Sequence, residues 1–288
     1  MTTMRSILWQ DLTNAEIADL RDAEAIVAIP VGAIEQHGPH LCVETDALLS
    51  RGVTLRAAQR SKVPVVVAPA LPYGFSPHHV SHPGTISLRL QTYMAVIEDI
   101  ARSLTASGFR RIVFVNGHGG NSAPLRAKVT ELVTDGMPAA ALDYWTPSES
   151  VWIPMLEGAL KRGGHACEME TAVVMALKAD DRAEVARLLD GAKGLPARTI
   201  QPWVAPGHPS DPLTQAGAAW PPIFQADDCG YYGDPGAASE ELGVRILEVL
   251  ADALARFFEG FAATPLRLGV ARDAAAPSIS APLAGTRA

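Results

Sequence analysis

Glu35, His37 and Asp46 open the chemistry of this chain, because carboxylate and imidazole at short spacing are the donors a divalent cation takes. In extended backbone, residues i and i+2 point to one face, so Glu35 and His37 converge as the chain leaves a strand. Asp46 then approaches from the start of the next helix. Zn²⁺, Mn²⁺ or Fe²⁺ suits such a set, and a carboxylate has two oxygens with which to bridge two ions. The competing reading is a solvated turn whose polar groups cap a helix.

A second group, Asn116-Gly117-His118-Gly119-Gly120-Asn121, follows the apolar run Arg111 to Val115. His118 is thereby set at the carboxyl end of a strand, where open α/β sheets bind ligands. The glycines on both sides allow positive φ and close backbone approach. The same stretch also reads as a phosphate cradle at a helix N-terminus, although it has neither the P-loop lysine nor GxGxxG spacing. A third group, His165-Ala166-Cys167-Glu168-Met169-Glu170, begins a helical pattern. Helical positions i and i+2 diverge by about 200°, so Glu168 and Glu170 cannot both face one pocket. One is left to bind metal while the other orients a ligand or caps the helix. Cys167 reads as a packing residue.

These groups need elements to hold them. Ala25 to Ile34, Val63 to Ala70 and Arg111 to Val115 are short uncharged or nearly uncharged β-rich runs, the pattern of strands buried in a parallel sheet. Helical periods fill the gaps at Ala47 to Arg60 after Thr45, at Leu90 to Ser107, and at Ser122 to Thr134 after Asn121, implying βαβ units in one layered α/β domain. Glu168 to Leu189 and Glu240 to Phe261 are helical again and should pack against the sheet. Gly191 to Gly236 carries eight prolines and reads as a long ordered loop, a candidate substrate cover. Trp145, Trp152, Trp203 and Trp220 suit either an apolar pocket or subunit packing. His40, His78, His82 and His208 read as loop or supporting histidines. The domain is expected to span 1–261, with a mobile tail over 262–288.

The 288 residues are 48% hydrophobic and 19% charged, which excludes a disordered chain. A net charge of −7 argues against nucleic acid or an anionic membrane as partner. Three cysteines without a CxxC pair, and no apolar run of membrane length, fit a cytoplasmic protein.

Together the three groups resemble the creatininase family of metal-dependent amidohydrolases: VGAIEQHGPHLCVETD, NGHGGN and HACEMET match its motifs in order. YGFSPHHVSHPGTISL and GYYGDPGAASEELG add to the likeness, which spans about residues 5 to 260. The resemblance implies a three-layer α/β/α fold with a mostly parallel central sheet, two divalent ions (zinc foremost, manganese or iron as alternatives), a small-molecule substrate and assembly as a homohexamer. It implies hydrolysis of a non-peptide C–N bond in a small cyclic amide, lactam or formamide. Trimming of a short peptide in cofactor maturation is the alternative within the family, and a non-catalytic phosphate or nucleotide module the alternative outside it. By position, Glu35 and His118 would bind one ion, His37 the other, and Asp46 would bridge. Creatinine-cleaving members have a glutamate where this chain has Gly120, which leaves Glu168 as the first candidate for the missing ligand and Glu170 as the second. His165 would shuttle protons, with Glu170 also in reach of catalysis, and Ser76 and His79 would meet the substrate.

Overall fold

The structure is a computed structural model that describes residues 5–199, 224 and 229–267. Four parallel strands, β1 (Ile26–Val31), β2 (Val65–Val67), β3 (Ile112–Asn116) and β4 (Ala139–Asp143), form a sheet in the order β2-β1-β3-β4. Alternate strand residues face opposite sides, so each side collects its own core. On one, Ile26, Ala28, Val65, Val67, Val113 and Val115 join an apolar cluster with helices α2 (Thr45–Arg60), α6 (Glu168–Leu177) and α8 (Glu240–Ala263). On the other, Val27, Ile29, Val66, Ile112 and Phe114 meet α1 (Asn14–Asp22), α3 (Leu90–Ala106) and α4 (Ser122–Thr134). The result is the expected three-layer α/β/α arrangement.

The expected elements differ in detail. β4 is an addition: Ala139–Asp143 is too rich in alanine to stand out as a strand, yet it pairs with β3 from Ile112↔Ala139 to Asn116↔Asp143. The single helix expected over Glu168 to Leu189 is two, α6 and α7 (Arg182–Ala192), because Asp181 caps a fresh helix by accepting from Glu184 N. A short α5 (Glu149–Trp152) lies between β4 and α6. Neither Thr45 nor Asn121 caps its helix with a side chain. Thr45 Oγ1 instead donates to Cys42 O at 2.6 Å. Asn121 donates to Gly32 O at 3.0 Å and accepts from Phe75 N at 2.9 Å, tying three loops together at the carboxyl ends of the strands. Most of the expected cover loop, and the tail beyond 267, lie outside the described residues. None of the described helices is long and apolar enough to cross a membrane.

Candidate active site

Strand register brings the first two groups together. Val31 pairs with Asn116, and Gly117 N donates to Val31 O at 2.8 Å, so the chains leading to Glu35 and His118 leave the sheet side by side. α2 starts directly over this edge. A Cβ at position 117 would overlap the Asp46 carbonyl oxygen, so glycine there lets the helix N-terminus, and with it the Asp46 carboxylate, close on the strand ends. None of the three glycines around His118 uses positive φ. His118 is fixed by Asn116, which accepts from His118 N at 3.1 Å and donates to His118 O. Asn116 is in turn anchored on Asp143 at the end of β4.

The described residues converge on three overlapping triads of candidate metal donors, all buried: Glu35, Asp46 and His118; His37, His165 and Glu170; and Glu35, His79 and His165. Asp46 joins the first two. Its Oδ2 lies 3.0 Å from His118 Nδ1 and its Oδ1 lies 3.1 Å from His37 Nε2. Glu35 Oε2 stands 3.2 Å from His118 Nδ1, while Oε1 is 3.5 Å from His165 Nδ1 and 3.4 Å from His79 Nε2. Ser76 Oγ donates to Glu35 Oε2.

Glu168 and Glu170 part company as their helical phase requires. Glu168, the first residue of α6, accepts from the backbone N–H groups of Glu157 at 2.6 Å and Gly158 at 3.1 Å, and it joins none of the triads. Glu170 is the one that reaches the cluster, while also accepting from Cys167 N at 3.2 Å as a helix cap. Of the two glutamates expected near the missing donor position, the fold brings Glu170 to the cluster and turns Glu168 to the 157–158 backbone. Ala166, buried between His165 and Cys167, holds a left-handed φ of 49°, a conformation that costs an alanine about 1 kcal/mol or more and marks the turn that delivers His165.

Two residues outside the expected set orient the histidines. The Gln36 carbonyl accepts from His165 Nε2 at 2.8 Å, leaving His165 Nδ1 without a proton on the side that faces Glu35. The Gln36 side-chain amide donates to His79 Nδ1 at 2.8 Å, so His79 presents Nε2–H to Glu35. Phe224 stacks on His79 with centroids 4.4 Å apart and packs on His165 at 4.9 Å. Among the other expected histidines, His78 stacks on His118 at 5.5 Å, and His40 bonds to Thr171 Oγ1 at 2.8 Å. Trp203, Trp220 and His208 lie outside the described residues. All members of the triads except His37 line a cavity of about 890 Å³, together with Phe75, Trp145, Trp152, Phe224, Tyr232 and Arg162. Gln36 was legible only as the residue between two donors, and nothing in the sequence singled out Arg162 or Phe224.

Glu35 Oε1, His37 Nε2 and Asp46 Oδ2 are buried without hydrogen-bond geometry, although opposite charges stand close by. Such an excess of donor atoms aimed at one another fits divalent cations better than it fits mutual ion pairs. Burial raises Glu170 to about 7, with Asp46 and Glu35 adding to the rise against His37. Burial disfavours a charged His37, but Asp46, Glu170 and Glu35 overcome it and raise the ring to about 10. Burial and the neighbouring His37 and His79 hold His165 well below the usual range, so its ring is neutral.

A pH dependence follows for protein stripped of metal. The folded state keeps the His37 proton up to about 10, against 6.5 in the unfolded chain, so this contribution is complete below 6.5 and is lost as pH rises through 10. Over the same window His118 acts in the same direction. Thermal unfolding of the chelator-treated protein is expected to show Tm falling from pH 6.5 to 10, and the rise in Tm on adding zinc growing as protons leave the donors. A flat Tm across that window would contradict the His37–Asp46 pairing.

Fold and donor set define a metal-dependent hydrolase built on a three-layer α/β/α sheet. A family model described as creatininase, creatinine amidohydrolase, matches residues 10–258. The chain belongs to the creatininase family of metal-dependent amidohydrolases. A mycofactocin precursor peptide peptidase of Mycolicibacterium smegmatis is 35% identical over 54% of this chain, an alignment spanning 59% of that relative. Its Mycobacterium tuberculosis namesake is 30% identical over 84% of this chain and 88% of its own length. The creatinine amidohydrolase of Pseudomonas putida is 38% identical over 41% of this chain and 47% of its own length. Solved structures of a creatinine amidohydrolase and of a manganese creatininase superpose with TM-scores of 0.71 and 0.70 at 28% and 30% identity, covering 90% and 89% of this chain and 100% and 99% of theirs. A mutant creatininase complexed with creatine gives a TM-score of 0.67 at 30% identity, over 89% of this chain and 99% of that one.

Proposed function

We propose that this chain hydrolyses a C–N bond of a small amide, lactam or formamide at a site for two divalent cations, zinc foremost with manganese or iron as alternatives. One observation carries this reading: the two oxygens of the buried Asp46 carboxylate face two different histidines, each with its own acid, Glu35 beside His118 and Glu170 near His37. Glu35, Asp46 and His118 would hold one cation, and His37, Asp46 and Glu170 the other. When bound, the pair lowers the pKa of a shared water toward about 7 and polarises the carbonyl under attack. Glu170 takes the place that glutamate fills in creatinine-cleaving relatives, since Gly120 has no room for a side chain: a Cβ there would stand 2.6 Å from Phe75 O and 2.7 Å from His78 Cε1.

The chain's own residues handle the proton. His165, held with Nε2–H on the Gln36 carbonyl, offers Nδ1 to accept a proton from the attacking water and to return it to the departing nitrogen. Ser76 donates to Glu35 and His79 stands 3.4 Å from its other oxygen, so their part is to orient a ligand as much as to meet substrate. Phe224 and Tyr232 cover the histidines with apolar surface and exclude bulk water. Peptide trimming is the second reading, supported by the M. tuberculosis peptidase, which matches over 88% of its length.

The assignment of donors is tested by a pair of variants. Glu170→Gln is expected to lose metal, read by elemental analysis, and to lower turnover of a cyclic-amide, formamide and dipeptide panel by about a hundredfold or more. Glu168→Gln is expected to keep its metal and lose only stability, by about 1–3 kcal/mol for the bonds to Glu157 and Gly158. The reverse pattern would return Glu168 to the site. Activity that survives verified removal of metal would overturn the hydrolytic reading.

A further inference from the structure

We propose that Arg162 anchors a carboxylate of the substrate, so that the bond cleaved belongs to a molecule with a free acid group, as in an N-acyl amino acid or the carboxyl end of a short peptide. The proposal rests on the reading above in that the amide is placed at the Asp46 cluster. Arg162 lines the same cavity as Glu35, Asp46, His118, His165 and Glu170, and it is the one lysine or arginine among the described residues that does so. The remaining charged lining residue, Glu149, does not neutralise it. Among the described residues no carboxylate approaches the guanidinium within ion-pair distance, and its donors have no hydrogen-bond partner, although other arginines of the chain, such as Arg60, Arg126 and Arg187, are paired with an acid.

Its position is built rather than accidental. The next two residues are glycines packed against the wall. A Cβ on Gly163 would stand 3.1 Å from Trp152, and one on Gly164 would overlap the Tyr232 carbonyl oxygen. The backbone is thus pressed onto the aromatic lining, and the arginine projects from its edge. His165 N donates to Tyr232 O at 3.0 Å, which pins to Tyr232 the segment that carries Arg162 and, three residues on, the proton-handling histidine. Arg162 is exposed, so it meets a carboxylate at the water-facing rim of the cavity, where the parallel N–H donors of a guanidinium match the two carboxylate oxygens. The cavity, at about 890 Å³, has room for an acid-bearing chain alongside the amide.

The test uses N-acetylphenylalanine and its neutral amide, titrated calorimetrically into the full-length protein after removal of metal, so that no cation competes for the acid. The acid is expected to bind about tenfold more tightly or better, the Arg162→Gln variant to lose the difference, and Arg162→Lys to keep part of it. Equal binding of the two probes, a preference that survives Arg162→Gln, or no binding of either overturns the anchor. In the zinc-loaded enzyme the same variant should raise KM for acid-bearing substrates about tenfold while kcat stays within about twofold. A protein that shows the Arg162-dependent preference but hydrolyses nothing would retain the anchor and refute the hydrolytic reading.

Discussion

Asp46→Ala is expected to remove both cations of the proposed site and to reduce kcat/KM by about four orders of magnitude, because a single carboxylate faces both His37 and His118. The deletion takes from the buried His37 and His118 one of the acids that raise their basicity, so residual zinc would have to be held by Glu35 or Glu170 with one histidine each. Elemental analysis after dialysis should give close to no metal per chain. Asp46→Asn keeps the volume but only one oxygen, and is expected to retain at most one ion. Full occupancy with unchanged turnover in Asp46→Ala would show that Asp46 does not bridge.

The largest loss of stability is expected at a position with no polar group. Gly243 lies in α8 where it crosses α6, and any Cβ there would overlap the Ala172 carbonyl oxygen. Gly243→Val must push the two helices apart, at a cost of about 3 kcal/mol, or roughly 10 °C in Tm. Gly260 in the same helix faces open space, with nothing within 4 Å of where a Cβ would sit. Gly260→Ala is therefore expected to be neutral or to gain up to about 1 kcal/mol from helix propensity. Because α6 also carries Glu170, the Gly243 variant should bind metal less tightly even at temperatures where it stays folded. Unchanged melting of Gly243→Val would mean that α6 and α8 do not pack as described.

The sequence carried the layers well because Ile26–Val31 and Ile112–Asn116 are buried throughout, and only a strand covered on both faces needs so continuous an apolar run. β4 escaped because Ala139–Asp143 owes its place to pairing with β3 and to Asp143 holding Asn116, neither of which leaves a local pattern. Choosing between Glu168 and Glu170 required the phase of α6. The helix begins at Glu168, so that residue turns toward the 157–158 backbone while Glu170 reaches back to cap Cys167 and faces His37. Ser76 and His79 were expected near substrate, and the fold sets both on Glu35 through a loop whose course no spacing rule describes. Gln36 was hidden by its neighbours. In an extended strand it would face away from Glu35 and His37, but the turn at Gly38, with φ of 62°, lets its side chain fold back to accept from Gly38 N.

The five donors proposed for the cations descend from the ends of β1 and β3 and from the first turns of α2 and α6, whereas other parts of the cavity wall come from separate connecting segments around Phe75, Trp145, Arg162 and Phe224. On that proposal, reactivity and selectivity are encoded in different parts of the chain. A graft of the 157–164 segment between relatives is then expected to move preference without moving the pH at which the enzyme works.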